Sequence, residues 1–366
     1  MQTQVHKPVV SVAMVVCNVE RFLAEAIESI LGQTFHEFEF IVVDFGSTDR
    51  SKEIIAGYAA KDSRIKLHAI PHCGLAAARN ASCFLAQGKY IAIMDADDVS
   101  VPDRLMWQVE FMEKHPRVGV VCGGVELIDG AGKSLTSSVV SSGVRLKHPT
   151  DNCDLQSELL IRCPFWEAVL MRREAFLQVG GYRPIFAQAE DYDLWMRVSE
   201  HFELANLEQV LFKYRLHSYQ VSVRKRQQQT LCGLAVRASA ESRRNGKPDP
   251  LNPVKEITPE FLATLGISEE MQRDALALEY QGWIKMMWAA GERSSALDAT
   301  IAMLKLSDGN HVDRQERVET LVELTRLYWE SNRCLMSIFT AVRAAIKQPR
   351  LTRRLLRNML RRIGIA

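Results

Sequence analysis

Two hydrophobic rhythms alternate along the first hundred residues. Residues 9–17 (VVSVAMVVC) form a β-branched run after Pro8, as a buried strand requires. Beyond Asn18, Phe22, Leu23, Ile27, Ile30 and Leu31 share one helical face, and Gly32 closes it. Residues 38–45 (FEFIVVDF) read as a second strand running into the turn Gly46-Ser47-Thr48-Asp49, and a helix follows over residues 49–60. A short strand at 65–70, an alanine-rich helix at 75–86 and a strand at 90–94 ending at Asp95 complete the series.

Strands alternating with helices predict an α/β fold with a parallel sheet. Ligands of such sheets lie beyond the carboxyl ends of the strands, and Cys17, Asn18, Asp44, Asp95 and Asp97 fall at those ends. Ser100, Pro102 and Asp103 read as a helix cap, with a helix reaching Lys114. A strand at 118–128, a strand at 165–171, a short helix at 173–179, a helix at 194–201 and a half-buried strand at 210–217 follow. After Arg224 only helical periodicities remain, at 269–290, 295–306 and 312–329, past a Pro/Gly-rich linker at 246–253. The expected organisation is an α/β domain over 1–224 and an all-α region over 225–366.

With 366 residues, 47% hydrophobic and 25% charged, the composition is that of a globular protein with a sizeable core. The net charge of +2 names no partner, and no nucleic acid is expected. Its distribution is uneven: residues 331–366 hold nine basic residues and no acidic one, behind a body with 37 basic and 44 acidic residues. Within that tail Leu351, Leu355, Leu356, Met359, Leu360 and Ile363 line one face opposite the arginines. A basic amphipathic helix of this kind suits an anionic lipid surface, or docks on the protein's own acidic body. Eight scattered cysteines without C-x-x-C spacing fit a reducing compartment. No signal peptide and no apolar run of membrane-spanning length is evident. The expected location is cytoplasmic, at most peripheral at the inner face of the membrane.

In extended chain Asp95 and Asp97 project the same way while Asp98 faces elsewhere. Such a pair suits a hard cation, Mg²⁺ or Mn²⁺; equally the three acids cap the next helix. Glu190, Asp191 and Asp193 stand just ahead of the helix expected from Leu194, where a carboxylate is held as an anion and can take a proton, or simply caps. Arg215 and His217 share a strand face and are candidates to meet an anion or a metal. Arg79 lies on a small-residue helix, able to pair with a phosphate or a strand-end aspartate. Gly132-Lys133-Ser134 is not a P-loop, because Leu127 stands where its first glycine belongs, and neither G-x-G-x-x-G nor G-x-S-x-G occurs where a dehydrogenase or hydrolase needs it.

In order and spacing these pieces resemble the family-2 glycosyltransferases of GT-A fold. The resemblance rests on Asn18-Val19-Glu20, on Ser29-Ile30-Leu31-Gly32-Gln33-Thr34 and on Val43-Asp44-Phe45-Gly46-Ser47-Thr48-Asp49. It continues through Gly74 to Asn80, Asp95 to Asp98, Gly180-Gly181-Tyr182, Glu190 to Trp195, and Tyr214-Arg215-Leu216-His217. It implies a Rossmann-like, mostly parallel central sheet and a nucleotide-sugar donor, most simply a UDP-sugar. A glycan or lipid-linked acceptor, inversion and a role in cell-envelope polysaccharide or glycolipid synthesis are implied with it. Asp44, with Asn18 and Glu20, would lie on the nucleotide side, Arg79 would support it, and Asp95 would meet the ribose. Asp97 would hold Mn²⁺ or Mg²⁺ with His217 near it, and Asp191 would be the base with Glu190 beside it. Acceptor recognition would fall in residues 163–167, where Trp166 stacks on a sugar or belongs to the core. Two departures touch base recognition: Cys17 replaces the usual aromatic residue, and Phe45 the second aspartate. They leave open a catalytically inactive scaffold; a sugar-phosphate nucleotidyltransferase would want a glycine-rich basic loop after the first strand.

Overall fold

The structure is a computed structural model that describes residues 7–141, 146, 148–217, 220 and 225–306. β1 (Val10–Val16), α1 (Glu20–Leu31), β2 (Phe38–Asp44), α2 (Ser51–Ala59), β3 (Ile65–Ala69), α3 (Leu75–Leu85) and β4 (Tyr90–Asp95) follow the hydrophobic rhythm closely. Val10, Val12, Met14 and Val16 alternate into one core with Leu23, Ile27 and Ile30 of α1 and Phe40 and Val42 of β2. The elements β5 (Val99–Ser100), α4 (Arg104–Lys114), β6 (Val118–Ile128), α5 (Thr136–Ser141), α6 (Asn152–Leu159), β7 (Leu170–Arg172), α7 (Arg173–Gln178), α8 (Glu190–Val198) and β8 (Glu203–Arg215) come next. Helices alone follow among the described residues: α9 (Arg226–Arg244), α10 (Pro259–Thr264), α11 (Glu269–Ala289) and α12 (Arg293–Leu306).

The sheet has eight strands in the order β3-β2-β1-β4-β7-β6-β8-β5. β3, β2, β1 and β4 are mutually parallel, β7 is antiparallel to both β4 and β6, and β6 and β8 are again parallel. It is a mixed, mostly parallel sheet, with the antiparallel β7 as the seam between its halves. The β6–β8 ladder shifts register at Gly123 and Gly124. A Cβ on Gly123 would stand 2.7 Å from Leu211 Cδ1, so a side chain there would force Leu211 to shift.

Three local readings are corrected. The strand expected at 165–171 shrinks to Leu170–Arg172, and β8 starts at Glu203 and ends at Arg215. Neither Ser100 nor Asp103 caps α4 with its side chain; the Leu105 N–H donates instead to Gln33 Oε1 at 3.1 Å. Gln33 Nε2 also donates to Val101 O at 2.7 Å, so the Ser29-to-Thr34 motif ties α1 to the segment behind β4.

The chain divides into two compact units. The first holds, among the described residues, 7–136, 146, 148–215 and 228–267; the second holds 137–141, 216–217, 220, 225–227 and 268–306. In the second unit α11 packs along α12, and Arg226 stacks over the Trp283 ring at 4.1 Å. No helix among the described residues is long and apolar enough to cross a membrane, and none of their cysteines forms a disulfide. The helices expected at 312–329 and 351–365 lie outside the described residues.

Candidate functional site

The carboxyl ends of β1 and β2 carry two loops bound to each other. Asn18 adopts a left-handed backbone (φ 55°), which asparagine tolerates better than other non-glycine residues. Its Oδ1 accepts from Thr48 N at 2.8 Å and Asp49 N at 3.2 Å. Glu20 Oε2 accepts from Arg50 N at 3.0 Å, while Glu20 N donates to Asp49 Oδ2 at 2.9 Å. Burial opposes ionisation of Asp49, but the Glu20 and Ser51 donors outweigh it and hold the carboxyl below its usual value. The side-chain oxygens of Asn18 and Glu20 are thus engaged in fixing the cradle.

Asp44 ends β2 with 3% exposure, and its Oδ1 finds no hydrogen-bond partner among the described residues. A buried carboxylate oxygen left in this state is costly unless a ligand donates to it. The neighbouring Cys17 thiol is pushed up by burial and then by the charges of Asp44 and Asp49. Phe45 turns inward and stacks on the exposed His72 at 5.6 Å between ring centroids, so it fills its position as a packing residue.

At the end of β4 the chemistry gathers around Arg79. Its guanidinium is 3.1 Å from Asp95, 3.4 Å from Glu167 and 3.4 Å from Glu190. Burial would weaken this cation, yet the three carboxyls raise it well above its ordinary value. Burial pushes Glu190 up to about 7 against the pull of Arg79, and burial with the nearby Asp95 holds Glu167 well above the carboxylate range. Asp97 is half-buried, and its backbone carbonyl accepts from Arg215 Nε at 2.9 Å. Asp98, 1% exposed, accepts the Arg215 N–H at 2.9 Å through Oδ1 and has no partner among the described residues at Oδ2.

Arg215 is therefore no phosphate-facing cation. Fully buried, it also reaches Glu25 at 2.6 Å and the Asp129 carbonyl at 3.3 Å, and so clamps the Asp97-Asp98 turn. Beneath the acids Arg104 is completely buried and donates to Ile93 O at 2.7 Å and Val169 O at 3.3 Å; burial lowers it to about 10.

Glu190 and Asp191 are not ahead of the helix but in its first turn, because α8 begins at Glu190. Ala189 precedes it in a left-handed conformation (φ 60°) with no side-chain cap, a strained entry that fixes where both acids point. Asp191 remains half-buried, its Oδ1 accepting only the adjacent Tyr192 N–H at 2.7 Å among the bonds of the described residues. Asp193 is sealed between Arg183 and Arg197 and serves structure. Trp166 packs against Tyr214 at 5.4 Å between ring centroids, and its buried indole nitrogen finds no acceptor among the described residues. His217 lies in the second unit, buried, with its backbone N–H on Gln220 Oε1 at 3.2 Å.

The structure thus gathers Arg79, Asp95, Glu190 and Asp191, adds Glu167, and binds Asn18 and Glu20 to the loop after β2. Glu167 carried one sequence signal, a charge inside the apolar run Phe165 to Met171. Among the described residues no three His, Cys, Asp or Glu side chains form a metal-binding group. Asp97 and Asp98 nonetheless offer hard oxygen donors on adjacent residues, Asp98 Oδ2 being unpartnered among the described residues, and such oxygens suit a hard cation.

A mixed, mostly parallel sheet with paired loops at the carboxyl ends of β1 and β2 and acids at that of β4 is the GT-A architecture of glycosyltransferases. A solved mannosyltransferase from Pyrobaculum calidifontis, in complex with GDP-Man and Mn²⁺, shares this fold with TM-score 0.52 and 18% identity over 94% of this chain and 87% of that one. Residues 11–180 match the profile of glycosyl transferase family 2. A Bacillus subtilis relative described as a glycosyltransferase (EpsE) is 39% identical over 217 residues, 57% of this chain and 73% of that protein. The O-antigen biosynthesis glycosyltransferase WbnJ of Escherichia coli is 29% identical over 213 residues, 57% of this chain and 80% of the relative. The chain belongs to glycosyl transferase family 2 and is a glycosyltransferase.

Proposed function

We propose that the protein transfers a sugar from a nucleotide-diphospho-sugar, a UDP-sugar, to an acceptor hydroxyl with inversion at the anomeric carbon. The products are read as cell-surface polysaccharide or glycolipid, in keeping with the O-antigen role named for the E. coli relative. The observation that carries the donor reading is the buried, unpartnered Asp44 Oδ1 at the end of β2. An acceptor-only oxygen there selects a base with an imino N–H, such as uracil, thymine or guanine, and disfavours cytosine, whose ring nitrogen is itself an acceptor.

Asp95 receives ribose hydroxyls, and Arg79 keeps its carboxylate in place. Asp97 would hold Mn²⁺ or Mg²⁺, and the bound cation supplies charge to the departing diphosphate. Asp191 accepts the proton of the attacking hydroxyl as that oxygen bonds to the anomeric carbon from the face opposite the diphosphate. Glu190, held by Arg79, sets the orientation of α8's first turn. Trp166 and its neighbours border the acceptor side, where a glycan or lipid-linked hydroxyl enters from the cytoplasmic face of the membrane.

Calorimetry with UDP, GDP, dTDP and CDP, each with and without Mn²⁺, tests this reading. Metal-dependent binding of UDP in preference to CDP is expected, followed by UDP-sugar hydrolysis that Asp191→Asn abolishes. Failure of all four nucleotides to bind would end it.

A further inference from the structure

We propose that Glu167 is a specificity-determining residue for the transferred sugar: with Asp95 and Glu190 it surrounds the Arg79 guanidinium, making a subsite that takes a neutral sugar ring and rejects one bearing a carboxylate. The inference rests on the donor-site reading above and narrows it.

The geometry is that of one cation shared by three acids, at 3.1 Å from Asp95 and 3.4 Å from each of Glu167 and Glu190. Exposure decides which members a ligand meets. The side chains of Arg79 and Glu190 are 7% and 4% exposed, whereas those of Glu167 and Asp95 are 28% and 24% exposed. With Asp95 given to the ribose, the transferred sugar meets the Glu167 carboxyl oxygens, with the guanidinium enclosed behind them. Those oxygens pair with hydroxyl donors, as the secondary hydroxyls and the C6 hydroxymethyl of a hexose provide. A uronate offers at C6 only acceptors and a second negative charge. Three acids already outnumber the one cation, and burial resists even their own charges; an added sugar carboxylate meets the same resistance.

Glu167 is also held rigidly enough to discriminate. The Cys122 thiol donates to the carbonyl of Trp166 at 3.3 Å, Gln108 donates to Ala168 O at 2.8 Å, and Arg104 donates to Val169 O at 3.3 Å. Three buried side chains thus fix the segment on both sides of the carboxyl, the preorganisation that selectivity requires.

The test is calorimetric, on the full chain with Mn²⁺, using UDP, UDP-glucose and UDP-glucuronate, with GDP, GDP-mannose and GDP-mannuronate as the second series. Each sugar pair differs only in CH₂OH against COO⁻. For whichever nucleotide binds, the uronate should bind roughly ten- to a hundredfold more weakly than the neutral sugar nucleotide. Glu167→Gln should narrow that ratio, and Glu167→Lys should bring it near unity or invert it, the ratio being taken within each variant so that any change in bare-nucleotide affinity cancels. Glu167→Asp keeps the carboxyl and should keep the discrimination, which separates a specificity role from general damage to the fold. Equal affinity of the wild-type protein for the two sugars of a pair overturns the inference, as does a ratio that neither the Gln nor the Lys variant alters. Absence of binding by UDP and GDP themselves would overturn the donor-site reading, and this inference with it.

Discussion

Asn80 grips the backbone of Tyr182 with both ends of its amide: Nδ2 donates to Tyr182 O at 2.7 Å, and Oδ1 accepts from Tyr182 N at 2.8 Å. The pairing joins α3 to a segment a hundred residues away and stations Arg79, the preceding residue, against Glu190. Gly181 makes the approach possible, for a Cβ there would lie 2.6 Å from Asn80 Oδ1, and its backbone is left-handed at φ 76°.

Replacing Asn80 with alanine removes both bonds and leaves two backbone groups without their partner. A loss of about 1–3 kcal/mol is expected, read as a lower urea midpoint with an unchanged slope. Gly181→Ala should cost a similar amount, through both the clash and the positive φ.

Asp191→Asn should lower the donor-hydrolysis and transfer rates by about 10²–10⁴ while UDP affinity in Mn²⁺ stays within about twofold. Stopped assays at saturating donor, with calorimetry on the same preparations, check both halves. Asp97→Ala should do the reverse in binding, abolishing the metal dependence of nucleotide affinity.

Ligand-free, metal-free protein should lose stability as pH rises from 5 to 8. Glu190 has its folded value raised to about 7 from an ordinary 4.5, so the folded state holds the proton more tightly than the unfolded chain. The favourable contribution is complete below about 4.5 and is lost as pH climbs through 7, amounting to at most about 3 kcal/mol. Thermal midpoints in EDTA across this range should fall, and Glu190→Gln should flatten the fall. A midpoint that rises over the same range in wild-type protein would contradict the buried setting of this acid.

Arg215→Met should destabilise the fold by about 2–4 kcal/mol, since the Asp97 and Asp129 carbonyls and the Glu25 carboxyl lose their guanidinium partner. The same variant should need more Mn²⁺ for a given UDP affinity, because the turn presenting Asp97 is no longer held. Titration of the metal at fixed UDP measures this.

What the sequence disclosed and what it concealed follow the range of the interactions. β1, β2 and β4 are continuous apolar runs, and their strand character needs no partner to be read. The start of α8 was not legible, because its N-terminus is set by a left-handed alanine and not by a polar cap. The Leu105 N–H is satisfied by Gln33, just past the end of α1 and 72 residues away, so no residue local to α4 signals its cap. Glu167 joins Arg79 across 88 residues, a contact that no local spacing encodes. Arg215 sits in a strand whose alternation suggested an open polar face, and only the packing of Glu25, Phe22 and Asp129 around it reveals a buried clamp.

The two loops after β1 and β2 hold one another through Asn18, Glu20, Asp49 and Ser51, so each is half of a single part. An engineer wishing to change base preference by grafting the first loop of another transferase would import a loop with nothing to grasp. The graft would have to carry residues 17–20 and 44–51 together, and variation in one loop over the protein's descent is expected to be answered by variation in the other.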